Sequence, residues 1–333
     1  MAAHIAHLLF AEESAELAGV SLDREDPYFV LGAQGPDLFL HSQRRVPRAI
    51  QYGALLHRKG FSRLATVLST DRSAEVRRYA AGFITHIVLD RVSHPFINYF
   101  AGWWDRSRPE TRDYRHMHPF LERLIDIEVL ANREGRHPRD LDFAAHVDLG
   151  EQMPTALHRS LVAALRNSLD SAGRDGELEV RVANAYQDAL GYYRFTSRAD
   201  EEYMREGVRR ETRGEISDRW LSLVHPPSLP YRLDVLNHDH RSWAHPCYGE
   251  RRGEESFEQL WRHALPEAAQ LLKRWSSLAE SGGSGDPEEL QMSIGTRNLN
   301  DGVEGARPCA KRLMDPLPLP ELYRAIRERY RTV

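Results

Sequence analysis

A stripe of potential metal ligands lies in an otherwise apolar stretch of the chain, where His86, Asp90 and His94 recur at intervals of four residues. Residues four apart drift by only about 40° around a helix axis, so these three side chains would line one narrow face of a helix. Imidazole and carboxylate groups are ligands that Zn²⁺ binds at about 2.0–2.2 Å. The spacing therefore predicts a metal site on a helix.

A second stripe repeats the arrangement, with His118, Glu122 and Asp126 again four residues apart. Two such stripes facing each other would form a polynuclear site of nitrogen and oxygen ligands inside a helix bundle. For a single His-x-x-x-Asp pair, a half-buried polar seam without metal is the better interpretation. Two stripes so close in the chain favour a metal, because burying several ionisable groups on apolar helices is costly unless something pairs them.

The segments that must position these residues have mostly helical periodicity. It predicts helices at about 5–17, 55–68, 73–92, 116–132, 154–169, 177–193, 255–278 and 321–330. Few segments alternate between apolar and polar residues, so little strand is expected. Residues 281–287 have the composition of a flexible linker, and the proline-rich residues 315–320 that of a stiff extended piece. The fold class predicted from this pattern is all-α.

The composition is that of an ordinary globular protein, with 333 residues, 41% hydrophobic residues and 28% charged residues. This balance allows a sizeable core and argues against general disorder. The formal net charge of −4 gives no strong field that would attract nucleic acid or an anionic membrane. Histidine is the informative excess, since half of the 16 histidines lie at or before His118.

The cysteines, the N-terminus and the apolar runs of the sequence indicate the cellular compartment and the possible disulfides. The two cysteines, Cys247 and Cys309, cannot form a disulfide framework, and neither has the nearby cysteine of a zinc ribbon. The first residues lack the basic and apolar regions of a signal peptide. No apolar run approaches the roughly 20 residues of a membrane span. We therefore expect a cytoplasmic protein without a transmembrane segment.

Upstream of the two stripes lie a Gly-Ala-Gln-Gly-Pro-Asp run ending at Asp37 and a Leu-Leu-His run ending at His57. Together with His7 and the two stripes, this order of motifs resembles the zinc-dependent phospholipase C family, whose fold also occurs in single-strand-specific zinc nucleases. The signature covers about residues 4–126. A looser resemblance to uncharacterised bacterial members continues through residues 236–237, 243–246 and 255–257.

The resemblance implies a phospholipase C-like helical bundle with a helical C-terminal extension. On this basis, residues 1–175 are expected to form the zinc-binding helical domain. Residues 176–280 would be a helical extension packed on that domain. Residues 281–333 would be a linker and a C-terminal tail with a short helix.

The resemblance also implies two or three zinc ions and a role for each motif residue. His57, His86 and Asp90 would hold one zinc, and Asp90 would bridge to a second metal that His7 also binds. A separate zinc would be held by a second set of ligands, namely His94, His118 and Glu122.

Three further residues have roles implied by the same family. Asp37 would be catalytic together with Asp90, as a general base beside the metal-bound water or as an additional ligand. Asp126 would lie behind the ligands and orient a histidine; a salt-bridged carboxylate is the alternative. The secreted phospholipases use the amine of a processed N-terminal tryptophan as a ligand, whereas this chain begins with methionine. His4 is the candidate to replace that amine; otherwise the third metal is weak or absent.

The implied activity is zinc-dependent phosphodiester hydrolysis by a zinc-activated water, with a phospholipid or another phosphodiester as substrate. A non-catalytic, zinc-stabilised binding or scaffold protein is the alternative from another class, and a zinc-dependent nuclease is the alternative among enzymes. The acidic balance argues against nucleic acid as a partner. Two weaker features stay open: the His238-Asp239 pair resembles a phosphohydrolase motif, and Trp103-Trp104 could line a lipid cleft or fill the core.

Overall fold

The architecture, taken from a computed structural model, is mostly helical, and the structure describes residues 3–196, 200–280 and 286–331. The α-helices in these ranges are α1 (His4–Ala18), α2 (Pro27–Ala33), α3 (Asp37–Leu40), α4 (Ile50–Leu56), α5 (Phe61–Ser69), α6 (Ala74–Ala101), α7 (Met117–Glu134), α8 (Phe143–Val147), α9 (Thr155–Ser168), α10 (Asp170–Gly173), α11 (Leu178–Thr196), α12 (Glu201–Thr212), α13 (Phe257–Glu280), α14 (Pro287–Ile294) and α15 (Leu319–Arg331). Strands β1 (Trp243–His245) and β2 (Tyr248–Gly253) pair as an antiparallel hairpin. None of the described helices is both long and apolar enough to cross a membrane.

Helix α6 lies at the centre of the fold and is the longest helix in the described ranges, with 28 residues. Its first turn is capped by Ser73, whose hydroxyl accepts a hydrogen bond from the backbone N–H of Val76. Most of its side chains are buried, because α1, α2, α5 and α13 pack around it. A helix that is surrounded in this way places even its polar residues in the interior.

The crossing of α2 and α6 is unusually close because both helices have a glycine at the contact. A Cβ atom on Gly82 would lie 2.1 Å from the carbonyl oxygen of Phe29, and one on Gly32 would lie 2.0 Å from that of Tyr79. Any side chain at either position would push the two helices apart. The contact brings the turn that follows α2, and with it Asp37, against the middle of α6.

Most of the predicted helices are confirmed within the few residues by which helix ends usually differ. The helix predicted at 73–92 is longer and continues through Pro95 to Ala101. The prediction of a single helix at 55–68 is wrong, because the helix is interrupted between α4 and α5. The carbonyl of His57 accepts hydrogen bonds from the backbone N–H of Leu299 and the side-chain amide of Asn300, instead of continuing the helix.

The last part of the chain folds back onto the first. Helix α13 packs on α1 and α6, and α14, which the sequence pattern did not predict, packs on α5. Of the predicted linker, residues 281–285 lie outside the described residues, and Asp286 caps α14. The chain then runs along α6, where the N–H of Leu317 donates to the carbonyl of Phe100. Helices from all three predicted segments share one apolar core.

The two cysteines, which the sequence reasoning left without partners, form a disulfide between positions 62 residues apart. Cys247 lies in the turn of the β1–β2 hairpin, and Cys309 lies in the returning segment. The backbone N–H groups of Arg312 and Leu313 donate to the carbonyl of Pro246, which holds this segment on the hairpin. No local spacing could indicate the pair, because the fold alone brings the two positions together.

Candidate metal centre

Eight imidazole and carboxylate side chains meet around the middle of α6. Helix α1 supplies His7, the start of α3 supplies Asp37, and the end of α4 supplies His57. The other members are supplied by two helices, His86, Asp90 and His94 by α6 and His118 and Glu122 by α7. All are buried except His118, whose side chain is 26% exposed. The structure thus brings together every residue that the resemblance assigned to the metals, apart from His4.

The ligand atoms fall into three groups, and within each group they all lie within 4.8 Å of one another. The groups are His7 with His86 and Asp90, Asp37 with His57 and His86, and His94 with His118 and Glu122. His86 therefore lies between the first two groups, whereas the resemblance gave it to one zinc together with His57 and Asp90. These buried groups could each coordinate a metal ion.

Asp90 is the centre of the arrangement, because four histidines surround its carboxylate. Its Oδ1 lies 3.2 Å from His7 Nε2, and its Oδ2 lies 3.0 Å from His86 Nε2. The same Oδ2 is 3.5 Å from His57 Nε2 and 3.6 Å from His94 Nδ1. Both oxygens of one carboxylate thus face imidazoles of different groups, as a bridging ligand would require.

The spacing of the ligand atoms fits a tetrahedral metal. Bonds of about 2.0–2.1 Å to zinc place the ligand atoms of a tetrahedron about 3.3–3.4 Å apart. Asp37 Oδ1 lies 3.2 Å from His57 Nε2, and Glu122 Oε1 lies 3.0 Å from His118 Nε2 and 3.8 Å from His94 Nε2. These separations lie within about 0.5 Å of those in such a tetrahedron, so small side-chain movements would suffice to hold a metal.

The hydrogen bonds of three histidines fix which ring nitrogen faces the cluster. The Nδ1 atom of His57 lies 2.8 Å from the carbonyl oxygen of Gly53, and that of His86 lies 3.1 Å from the carbonyl of Ala33. His94 Nδ1 makes the same kind of contact with the carbonyl of Leu299. A carbonyl has no hydrogen to give, so in each neutral ring Nδ1 carries the hydrogen and Nε2 offers its lone pair. Metal-binding histidines are held in this way.

This orientation leaves acceptors facing acceptors in the middle of the protein. Within the described residues, His86 Nε2, Asp90 Oδ2 and Glu122 Oε2 are buried and make no hydrogen bond of acceptable geometry. Buried polar atoms are seldom left this way, since each costs about 1–3 kcal/mol of stability. Metal ions bound in the two ligand groups to which these atoms belong would satisfy all three, so the donor set fits metal.

The electrostatics of the cluster agree with ionised carboxylates around neutral and charged imidazoles. Burial opposes the charge of Asp90, yet His86 and His94 hold the pKa of this carboxyl well below its usual range. Burial also disfavours charge on His57, but Asp37 and Asp90 raise the pKa of that imidazole to about 10. At His86 and His118 burial dominates and lowers the pKa. The carboxylates therefore stay ionised, and positive charge between them would stabilise the cluster.

Gly35 lets the loop after α2 lie flat against a predicted ligand. Its φ of +54° is in the left-handed region, and a Cβ atom there would lie 2.3 Å from the ring of His86. A side chain at this position would displace that ring, since interior packing leaves no room for it. The second glycine of the Gly-Ala-Gln-Gly-Pro-Asp run, Gly35, is therefore required because no larger residue fits beside His86.

We expect Gly35→Ala to lower both stability and zinc content, whereas Gly19→Ala lowers stability alone. Both glycines have positive φ, but a Cβ atom on Gly19 meets nothing within 4 Å. Backbone strain should cost each variant about 1–2 kcal/mol, and the clash with His86 should cost Gly35→Ala about 1–3 kcal/mol more. Urea unfolding with metal analysis measures the difference. Equal losses in the two variants would contradict the packing argument.

Comparison of the chain with protein-family models, curated proteins and solved structures finds no match. The resemblance to zinc-dependent phospholipases C therefore depends on the motif residues quoted above. What the structure adds is their geometry, which is independent of any relative.

Asp126 lies behind the cluster. Its Oδ1 accepts hydrogen bonds from the backbone N–H groups of Ile5 and Ala6, which cap the start of α1. Its Oδ2 is 2.9 Å from Nε2 of His225, a residue that the sequence analysis did not single out. The residue thus fixes the helix that carries His7.

His4 belongs to a separate polar group with Asp126 and His225. The buried guanidinium of Arg123 donates to His4 Nδ1 and lies 3.5 Å from Asp126 Oδ2. This cation already supplies the positive charge that the group requires, and it would repel a metal ion. The structure therefore does not bring His4 to the other ligands.

The weaker sequence features, and His245 in the looser resemblance at 243–246, supply no ligand to the eight-residue cluster. The side chain of His238 is 53% exposed and 3.6 Å from Glu258, away from the eight clustered ligands. His245 lies near the disulfide, but Nε2 contacts the carbonyl of Asp301 and Nδ1 accepts the N–H of Cys247. With both nitrogens engaged, His245 has no lone pair for a metal. Trp104 is 37% exposed, so the Trp103-Trp104 pair does not fill the core.

A small cavity of about 210 Å³ adjoins the cluster at His57, His94 and His118. Its other wall includes four polar residues that the sequence analysis missed, namely Arg58, Asn98, Asn300 and Lys311. One sequence signal could have drawn attention to Lys311, because it is one of only three lysines among 45 basic residues. The asparagines have no such signal, since their partners are more than 200 residues away in the chain.

Proposed function

We propose that the protein is a zinc-dependent phosphodiester hydrolase. The observation that carries the proposal is the cluster of three adjoining ligand groups, composed only of imidazole and carboxylate, with one open side at His118. Adjoining metal sites of this kind suit the hydrolysis of phosphate esters, in which the attacking and leaving oxygens both need stabilisation.

Each group has a defined part in holding metal. His7, His86 and Asp90 would hold one ion, and His57 would hold a neighbouring one with Asp90 between the two; Asp37 lies beside His57. A third ion would be held by the remaining group, which is His94, His118 and Glu122. When bound, zinc supplies a Lewis acid that polarises a phosphoryl oxygen and acidifies water.

The chain itself supplies orientation and a proton acceptor. The carbonyls of Gly53, Ala33 and Leu299 hold three imidazoles with Nε2 toward the cluster, so the ligands are oriented before a substrate arrives. Asp37 is buried beside His57 and is the carboxylate we assign to accept the proton of the attacking water. Water adds to phosphorus, one ester P–O bond breaks, and the leaving alcohol takes up a proton.

The substrate class we propose is a phosphodiester, with phospholipid favoured by the resemblance. The cavity beside His118 has room for a phosphate group and a few further atoms, since each water molecule occupies about 30 Å³ of liquid. The organic groups of a larger ester would therefore extend out of the cavity. This arrangement requires only the phosphate and its closest atoms to reach the ligands.

A non-catalytic, zinc-stabilised protein is the second candidate, and burial of the site favours it. Seven of the eight ligands are nearly inaccessible, as is typical of closed structural metal sites. The two candidates differ in whether a phosphate ester can reach the metals through the opening at His118.

Hydrolysis of bis-p-nitrophenyl phosphate by the zinc-loaded chain tests the proposal. We expect slow but measurable turnover, and a loss of about 10²-fold or more in His118→Ala, because this ligand lies at the open side. His238→Ala is the matched control, since that histidine is exposed and away from the cluster.

Two natural substrate types identify the class of diester. Phosphatidylcholine should be the better substrate of a lipid hydrolase, and single-stranded DNA the better substrate of a nuclease. If the zinc-loaded protein turns over none of the three compounds around neutral pH, the hydrolase proposal fails and the non-catalytic function takes its place.

A further inference from the structure

The wall of the cavity opposite the ligands is built from connected polar side chains. The ammonium of Lys311 donates a hydrogen bond to Oδ1 of Asn98, and Asn98 Nδ2 donates one to the carbonyl of Asn300 at 3.0 Å. The side chain of Asn300 in turn donates to the carbonyl of His57 at 3.1 Å. These bonds link the returning segment to α6 and to the end of α4. The part of the wall formed by Lys311, Asn98 and Asn300 is therefore fixed, whereas Arg58 at its edge is exposed.

Two cations in this wall, Lys311 and Arg58, lack a direct ion-pair partner among the described residues, although the carboxylate of Asp301 acts on Lys311 from a distance. Within the described ranges, no carboxylate forms an ion pair with Lys311 or Arg58. Lys311 is half-buried, and its ammonium lies 5.8 Å from the centre of the Trp103 ring. Burial lowers the pKa of Lys311 to about 8, so the charged form still predominates near neutral pH. A partly buried ammonium without a direct ion-pair partner is stabilised further when an anion binds to it.

The position of Lys311 is set by covalent and backbone constraints. It follows Cys309 by two residues, and the disulfide ties that segment to the β1–β2 hairpin. The N–H of Arg312 donates to the carbonyl of Pro246 at 2.7 Å. A lysine held at both sides in this way loses less conformational freedom on binding a ligand than a free surface lysine would.

We propose that this wall is a phosphoryl-binding subsite, in which Lys311 and Arg58 hold the anionic oxygens of a phosphate group beside His57, His94 and His118. As part of a reaction it rests on the proposed function, but its affinity for phosphate does not. The shared ligand chemistry is that of a phosphate ester and of free phosphate. An ammonium and a guanidinium offer charge-assisted hydrogen bonds to such oxygens.

The small number of lysines permits a direct test on the zinc-loaded full chain. Reductive methylation with ¹³C-formaldehyde labels Lys59, Lys273, Lys311 and the terminal amine while keeping their charge. Adding inorganic phosphate should shift the methyl resonance of Lys311, assigned by its absence from Lys311→Met, and leave that of Lys273 unchanged. Lys273 is exposed on α13 and does not line the cavity, so Lys273→Met is the matched control.

Calorimetric titration with inorganic phosphate gives the affinity. We expect Lys311→Met to weaken phosphate binding about tenfold or more without loss of zinc, and Lys273→Met to leave it unchanged. Lys311→Met should also raise KM for the diester more than it lowers kcat.

A resonance of Lys311 that does not move, or unchanged phosphate affinity in Lys311→Met, overturns the subsite. Because the other two lysine resonances can be assigned from Lys59→Met and Lys273→Met, that of Lys311 is also known by elimination, and the test holds even if Lys311→Met does not fold. If phosphate binding depends on Lys311 while the wild type hydrolyses no diester, the subsite stands and the hydrolase proposal fails. If the wild type hydrolyses diesters and Lys311 does not matter, the subsite alone fails.

Discussion

Asp90→Asn should release at least one zinc ion per chain and lower the unfolding temperature by on the order of 5–10 °C. Asp90 lies within 3.6 Å of four imidazoles, so its replacement affects two ligand groups at once. Removing one charge from a buried ionic cluster costs about 3–5 kcal/mol, which in a chain of this size shifts the midpoint by a few degrees per kcal/mol at most. The loss of bound metal adds to this cost.

Elemental analysis and thermal melts with and without a chelator measure the effect. Asp239→Asn makes the same chemical change at an exposed aspartate and should behave like the wild type. The chelator should lower the melting temperature of the wild type to near that of Asp90→Asn. Identical melting of both proteins, unaffected by the chelator, would exclude a metal that stabilises the fold.

Asp37→Asn should reduce diester hydrolysis by about 10²–10⁴-fold, the usual contribution of a positioned proton acceptor. Asparagine keeps the size of the side chain but cannot take up the proton. His57 and Asp90, whose Nε2 and Oδ2 atoms lie 3.5 Å apart, remain to hold the neighbouring metal, so most of the zinc should stay bound.

The rate of bis-p-nitrophenyl phosphate hydrolysis and the zinc content are measured on the same samples. A variant that loses rate but keeps zinc makes Asp37 a base, whereas loss of both makes it a ligand. A variant with the wild-type rate would remove Asp37 from the mechanism altogether, and Asp239→Asn again controls for the loss of one carboxylate.

The parts of the site that the sequence could predict are those set by helical spacing. His86, Asp90 and His94 share a stripe because α6 is long and regular, and the same holds for His118 and Glu122 on α7. His7, Asp37 and His57 have no periodic relation to these, and only the family resemblance suggested them. Short helices such as α2 and α3 carry too few residues for a periodic signal.

The rest depends on tertiary contacts that no local pattern contains. The break after His57 exists because its carbonyl bonds to Leu299 and Asn300, far along the chain. His225 has no motif around it, and its pairing with Asp126 follows from the packing of a distant loop on α7. The disulfide has the same origin.

The returning segment also determines when the site can exist during synthesis. His94 is oriented by the carbonyl of Leu299, and the cavity wall is completed by Lys311, near the end of a 333-residue chain. Chains emerge from the ribosome in order, and early segments can fold before late ones appear. A nascent chain that has exposed only the first 280 residues therefore has every predicted ligand but neither the carbonyl that aligns His94 nor the wall opposite the ligands. Completion of the metal centre therefore has to wait until Leu299 and Lys311 have left the ribosome.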